Sequence, residues 1–118
     1  MRGKKKSKKT VRKTDKVSDK KDTYVVNVGQ YGHQASAQRE ASEYMLPSIF
    51  AYRSAVFLPP NRYGITVKIL KATPVELKNP ETPVYTWTVA VELQAIGPKD
   101  SVLRWIMDFS KAAKYYTP

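Results

Sequence analysis

Residues 84–93 constrain the fold more than any other stretch of this sequence. They read Val-Tyr-Thr-Trp-Thr-Val-Ala-Val-Glu-Leu, so that large apolar residues alternate with small or polar ones. A period of two is typical of a β-strand with one buried and one solvent-facing side. Residues 65–71 repeat the pattern, and residues 49–58 form a mostly apolar run that ends at the turn-forming segment 59–64. Together the three runs predict an antiparallel three-stranded meander.

Further elements are predicted on both sides of this meander. Residues 100–114 follow a Gly-Pro break and carry a broad apolar face over about four turns, which predicts a C-terminal helix. Residues 35–46 are rich in helix formers and stop at a proline, so a helix is predicted there, with a loop containing short strands as the alternative. Residues 23–28 are predicted to form a short strand. The expected fold class is therefore α+β, an antiparallel sheet with a C-terminal α-helix.

The net charge of +11 is concentrated at the N-terminus. Residues 1–22 contain eleven Lys or Arg and three Asp, whereas residues 23–118 contain ten Lys or Arg and seven Asp or Glu. Residues 1–22 have little apolar surface to bury, so they are predicted to be a basic arm that is disordered until a polyanion neutralises it. Residues 23–118 are predicted to be a single domain. Nucleic acid is the favoured partner of the arm; a solubilising tail and a membrane-surface patch, which lacks an anchor here, are the alternatives.

The composition argues against several classes of protein. The chain has no cysteine, which excludes disulfides and thiolate zinc sites, and it has no apolar run of about 18 residues that could span a membrane. No hydrophobic segment of a secretory signal follows the basic start, so a soluble intracellular protein is expected. His33 is the only histidine, and Glu40 and Glu43 have no second type of ligand nearby. We therefore expect a protein that is not an enzyme and has no metal, no cofactor and no small-molecule substrate.

RNA-binding residues are expected on the arm and on the polar side of the sheet. Hydroxyls and cations on a sheet can contact phosphates, 2′-hydroxyls and bases, although threonines also favour strands for their own sake. The arm would neutralise the phosphate backbone. The predicted RNA-binding residues are Arg2, Lys4, Lys5, Lys6, Lys8, Lys9, Arg12, Lys13, Arg53, Lys68, Thr86 and Thr88.

Residues 49–114 resemble the C-terminal part of the coat proteins of single-stranded RNA bacteriophages (levivirus-like). The shared pattern consists of Phe-Ala-Tyr-Arg-Ser-Ala-Val at 50–56, an Asn-Arg turn at 61–62 and Ile-Thr-Val-Lys-Ile at 65–69. It continues with a proline-bearing loop, a long strand ending in Val-Glu-Leu at 91–93, and a helix with an acidic start at Asp100.

This resemblance implies an intertwined dimer with one continuous sheet, in which each C-terminal helix packs on the partner, and a shell of many dimers around RNA. It also implies that the sheet face opposite the helices binds an RNA hairpin, with Arg53, Lys68, Thr86 and Thr88 on that face. The sequence departs from the family pattern in the basic arm, in the helical residues 35–46, and at two alanines where polar side chains are expected. These alanines are Ala55 and Ala90.

The first hypothesis is therefore a structural coat (capsid) protein of a virion, assembled in the host cytoplasm, that binds RNA and associates into dimers and larger assemblies. Its predicted interface residues are Trp105, Ile106, Phe109 and Tyr115, and Trp105 fits the core of its own subunit equally well. The second hypothesis is an RNA-binding component of a cytoplasmic or organellar ribosome, or of another ribonucleoprotein. An architectural DNA-binding protein is the third. Self-assembly into uniform particles separates the first from the second.

Overall fold

The computed structural model describes residues 23–116, and within this range the chain forms three strands, three α-helices and a short 3-10 helix. In chain order these are β1 (Thr23–Tyr31), α1 (Gln34–Tyr44), α2 (Pro47–Phe57), the 3-10 helix (Pro60–Tyr63), β2 (Thr66–Glu76), β3 (Trp87–Ile96) and α3 (Lys99–Ala113). The expected α+β class with an antiparallel sheet is confirmed. The predicted basic arm, residues 1–22, lies outside the described residues.

The central strand of the sheet is β3, and the spatial order is β1-β3-β2. Both outer strands run antiparallel to β3. Strands β2 and β3 form the hairpin that the alternating runs predict. The third strand is β1, which returns to the sheet although two helices separate it from β2 in sequence. The predicted meander is therefore wrong in its first strand.

Residues 49–57 belong to helix α2 and not to a strand, and Leu58 is the residue that follows the helix. The run is apolar on nearly every side, so its composition does not distinguish a strand from a packed helix. Pro47 stands at the start of α2, where its missing N–H group does no harm. Its position in the sequence predicts only the end of the preceding helix, but this proline also begins the next one. Phe50 and Ser54, four residues apart, form the buried side of α2.

The other predicted elements are confirmed with small changes of boundary. Helix α1 forms at residues 34–44, so the helix is correct and the alternative of a loop with short strands is not. Helix α3 forms at residues 99–113, one residue earlier at each end than predicted. Strand β1 starts as expected at residue 23 but continues to residue 31.

The core lies between one face of the sheet and the helices. Val89, Val91 and Leu93 of β3 are fully buried, and α3 adds its own buried stripe to the same core. This stripe has helical spacing and consists of Val102, Trp105, Phe109 and Ala113. The rings of Trp105 and Phe109 stack at 4.7 Å, and Phe109 also meets Phe50 of α2 edge-on at 6.4 Å. Alternate residues of β1 are exposed, because the helices cover only one face of the sheet.

Candidate nucleic-acid interface

The open face is the side of the sheet that the helices leave uncovered. Residues paired across neighbouring strands share a face, so Lys68 lies with its partner Gln94, and Lys71 lies with Glu92. By register the open face comprises Thr23, Val25, Asn27, Thr66, Lys68, Lys71, Thr73, Val75, Thr88, Ala90, Glu92, Gln94 and Ile96, of which Thr88 is buried. It therefore combines hydroxyls, amides and two lysines with one carboxylate and a few apolar side chains.

A β-bulge in β2 brings Lys71 to this face. The register with β3 shifts between Ile69 and Lys71, so that Leu70 has no partner of its own. Strict alternation from Ile69 would direct Lys71 towards the core, and the extra residue reverses that direction. Lys68 and Lys71 are both exposed as a result. The alternating pattern predicts only Lys68 correctly, because no feature of the sequence marks the bulge.

Thr88, a predicted RNA-binding residue, is buried and bonded to the backbone. Its hydroxyl donates to the carbonyl oxygen of Gly29 at 2.8 Å. Gly29 lies in a second register shift, between Val28 and Tyr31 of β1, and adopts a left-handed φ of 81°. A Cβ atom there would lie 2.5 Å from the Tyr31 hydroxyl. Thr88 thus holds an irregular turn of β1 in place and has no free hydroxyl to offer RNA.

Thr86 occupies the hairpin loop, which we define as residues 77–86. It is half-buried, and its carbonyl oxygen accepts a hydrogen bond from the backbone N–H of Leu77 at 2.8 Å. This bond extends the β2–β3 ladder by one step beyond the strands. Thr86 therefore lies at the end of the open face and not at its centre.

Arg53 is not on the sheet, which corrects the expectation that it joins the polar face. It belongs to α2, and its guanidinium donates to the carboxylates of Glu40 and Glu43 on α1, with 3.2 Å between Nη2 and Glu43 Oε1. It also lies over the rings of Tyr44 and Tyr116, at 5.1 and 5.6 Å from their centroids. Glu40 and Glu43 are three residues apart and share one side of α1. Arg53 therefore joins α1 to α2.

The polar cluster around Arg53 is largely desolvated. Burial raises the pKa of the Glu40 carboxyl above its usual value, and the nearby Arg53 opposes that shift. Burial alone would lower the pKa of Arg53, but the Glu40 carboxylate and the neighbouring tyrosines outweigh it, and the net shift is upward. Burial also raises the pKa of the Tyr31 and Tyr44 hydroxyls. Arg53 keeps its charge at neutral pH, and its contacts with the Glu40 and Glu43 carboxylates form an ion pair between α1 and α2.

Two of the predicted interface residues are inside the chain's own core. Trp105 and Phe109 are fully buried, and the indole N–H of Trp105 donates to the carbonyl oxygen of Leu58 at 2.8 Å. The own-core alternative for Trp105 is thus correct. Ile106 is half-buried against the core, whereas Tyr115 is exposed and donates its hydroxyl to Glu81 at 3.1 Å. The predicted arm residues lie outside the described residues; they are Arg2, Lys4, Lys5, Lys6, Lys8, Lys9, Arg12 and Lys13.

A groove of about 370 Å³ adjoins the open face along β1. Its lining comes from β1, the hairpin loop, β3 and the end of α3, and consists of Val25, Val26, Asn27, Gly29, Gln30, Leu77, Asn79, Pro80, Glu81, Thr82, Tyr85, Thr88, Ser110 and Lys114. Lys114 Nζ lies 2.7 Å from Glu81 Oε2 and ties the loop to the helix. The hydrogen bonds from Lys114 and Tyr115 lower the pKa of the Glu81 carboxyl. The hairpin loop and α3 thus lie together beside β1.

Within residues 23–116 no helix is long and apolar enough to cross a membrane, and no group of three or more His, Asp or Glu side chains is placed to hold a metal ion. No protein-family model matches the chain, and neither a curated protein nor a solved structure shows significant similarity to it.

Proposed function

We propose that this protein binds single-stranded RNA through the open face and residues 1–22, and that its copies assemble into a coat around the RNA. The observation that carries the proposal is the pair Lys68 and Lys71, which lies on a sheet face of hydroxyls and amides that the helices leave free. Lysines supply phosphate contacts, and hydroxyl and amide groups supply hydrogen bonds to 2′-hydroxyls and base edges.

The apolar residues of the open face suit unpaired bases better than a duplex. Val25, Ile96 and Val75 are all exposed on this face. Bases that are not paired can lie flat on such side chains, whereas a duplex presents mainly its phosphates and grooves. Glu92 repels phosphates but can accept hydrogen bonds from base amino groups. A single strand with its bases turned towards the sheet satisfies both kinds of side chain.

The coat part of the proposal is supported by the charge distribution. The net charge of +11 is more than solubility of a small domain requires, and +8 of it lies in residues 1–22. Copies with such arms repel each other until a polyanion neutralises them, and RNA would then bring them together. The bacteriophage coat pattern has a strand where this chain has α2, so the proposal depends on the open face and the charge more than on that resemblance.

RNA binding at the open face can be tested with two variants of equal charge. Lys68→Ala/Lys71→Ala removes the open-face lysines, and Lys99→Ala/Lys111→Ala removes two exposed lysines of α3. We expect the first variant to lose about tenfold in affinity for a single-stranded RNA, equivalent to about 1.4 kcal/mol, and the second to lose clearly less. Fluorescence anisotropy at one fixed salt concentration measures both. Equal losses would show that only net charge matters and would refute the open-face site.

A component of a ribosome or other ribonucleoprotein is the second candidate. The sheet with helices on one face and a basic N-terminal segment also suits a small RNA-binding module that is incorporated into a larger particle. Size-exclusion chromatography with light scattering, absorbance at 260 and 280 nm, and electron micrographs separates the two. Uniform particles with nuclease-protected RNA support the coat, whereas a monomer or small oligomer that releases RNA at high salt supports the second candidate.

A further inference from the structure

We propose that the groove beside β1 holds one unpaired base of the RNA strand that crosses the open face. The inference rests on the proposed function and deepens it, because it names the place where a base is recognised. The groove has a volume of about 370 Å³. Sites for small molecules begin at about 300 Å³ and combine apolar walls with a few polar groups. The groove therefore has the size of a site for a single nucleotide and not for a duplex.

Three side-chain amides line the groove without a hydrogen-bond partner of their own. They belong to Asn27 and Gln30 of β1 and to Asn79 of the hairpin loop, and within residues 23–116 none of the three side chains donates or accepts a hydrogen bond. An amide places N–H donors beside a carbonyl acceptor. The edges of an unpaired base carry donors beside acceptors in the same way. The three free amides are therefore complementary to the edge of a base.

Apolar and aromatic side chains form the walls of the groove. Val25 lies on β1, and Leu77, Pro80 and Tyr85 lie in the hairpin loop. Tyr85 is 37% exposed, and within residues 23–116 its ring packs on no other ring. A base has a flat apolar face, which stacks on an aromatic ring or lies against aliphatic side chains whatever the identity of the base. The walls therefore suit the faces of a base as the amides suit its edge.

The charges around the groove favour a base over a phosphate. Of the described residues that line it, only Lys114 is a cation, and its Nζ lies 2.7 Å from Glu81 Oε2. The two charges offset each other, so the groove offers no free cation for a phosphate to contact. The uncharged amides remain available. We therefore expect the base of a nucleotide inside the groove and its phosphate outside.

The register of the sheet brings the groove into line with Lys71. Lys71 pairs with Glu92 of β3, and Glu92 pairs with Val25 of β1, which lines the groove. Neighbouring strands lie about 4.8 Å apart, so the backbones at Lys71 and Val25 are about 10 Å apart across the sheet. A lysine side chain and one extended nucleotide span that distance. A phosphate bound at Lys71 and a base in the groove can therefore belong to the same stretch of RNA.

The first test compares single-stranded RNA with an abasic ribose-phosphate chain of the same length. Fluorescence anisotropy at one fixed salt concentration measures the affinity of the full-length protein for each. We expect Asn27→Ala/Gln30→Ala to bind the RNA about tenfold more weakly and to keep its affinity for the abasic chain, because it loses only contacts to a base. The control Gln34→Ala/Gln38→Ala removes two exposed amides of α1 that do not line the groove and should bind both like the wild type.

Two results of this comparison would overturn the inference. One is a groove variant that binds RNA as tightly as the wild type, and the other is an equal loss of affinity for RNA and for the abasic chain. The Lys68→Ala/Lys71→Ala variant should lose affinity for both chains, because it lacks phosphate contacts. Failure of the open-face lysines and failure of the groove therefore leave different patterns.

Nuclear magnetic resonance tests the same site without any substitution. The side-chain amide signals of Asn27, Gln30 and Asn79 are followed in the nucleic-acid-free full-length chain during titration with each of the nucleoside 5′-monophosphates and with ribose 5-phosphate. We expect at least one of the nucleotides to shift these signals and ribose 5-phosphate to leave them unchanged. Equal shifts with ribose 5-phosphate, or no shift with any nucleotide, would overturn the inference.

Discussion

Arg53 illustrates how one side chain joins two helices at the scale of the residue. Its guanidinium lies between two carboxylates of α1 and two tyrosine rings, in a site that is mostly closed to water. Removing one partner of such a pair leaves an uncompensated charge, which destabilises proteins by about 3–5 kcal/mol. Replacing both partners with neutral groups of similar size is far less harmful. Arg53 should therefore matter for stability and not for contact with RNA.

The variant Arg53→Met tests this role. We expect it to lower the free energy of unfolding by about 3 kcal/mol, because Glu40 then remains buried without its cation. The double variant Arg53→Met/Glu40→Gln should recover much of that loss, since the buried carboxylate is then neutral and the other partner, Glu43, has a side chain that is 42% exposed. Urea unfolding measures both values. A double variant that is as unstable as the single one would show that packing of the guanidinium, and not the ion pair, is what stabilises the helices.

At the scale of the element, a helix or strand is predicted best where the apolar residues of its segment follow a single period. The alternation at residues 84–93 locates most of β3, and the apolar stripe of residues 100–114 locates α3, because each buries a single face. Helix α2 buries one side and exposes a second apolar side, so it has no clear period. The pairing of β1 with β3 depends on contacts distant in sequence. Lys68 could be predicted on the open face because it follows the period of two. The bulge that turns Lys71 to the same face interrupts that period and could not be predicted.

The hairpin loop provides a prediction about pH. The pKa of Glu81 is lower in the folded protein than in the unfolded chain, because its carboxylate is bonded to Lys114 and Tyr115. These bonds therefore stabilise the loop fully at pH values above the unfolded pKa of about 4.3. The stabilisation is lost as the pH falls through the lower pKa of the folded state. We expect hydrogen exchange of residues 77–86, corrected for intrinsic rates, to speed up in acid. Glu81→Gln should show similar exchange at neutral and acidic pH. The same acceleration in Glu81→Gln would assign the effect to another group.

At the scale of the whole molecule, the uneven charge predicts how RNA binding depends on salt. Replacing Lys4, Lys5, Lys6, Lys8 and Lys9 with Gln in the full-length chain removes five cations. For single-stranded nucleic acid, each neutralised phosphate contributes about −0.7 to the slope of log K against log salt, so the slope should become shallower by about 3.5. The Lys68→Ala/Lys71→Ala variant should reduce it by about 1.4. Titrations at four or more salt concentrations measure this, and an unchanged slope would remove residues 1–22 from the binding mechanism.

The two edge strands of the sheet, β1 and β2, are protected by different means from pairing with strands of other molecules. Beside β1 lie the hairpin loop, tied to α3 by Glu81 and Lys114, and Tyr116, whose carbonyl oxygen accepts a hydrogen bond from the backbone N–H of Gln30. Strand β2 contains a bulge and a proline, Pro74, which has no N–H group to donate. Such features discourage strands of separate molecules from pairing. If the chain forms a coat as proposed, it must accumulate to high concentration before it meets RNA, and these protected edges would keep the unassembled protein from growing into fibres.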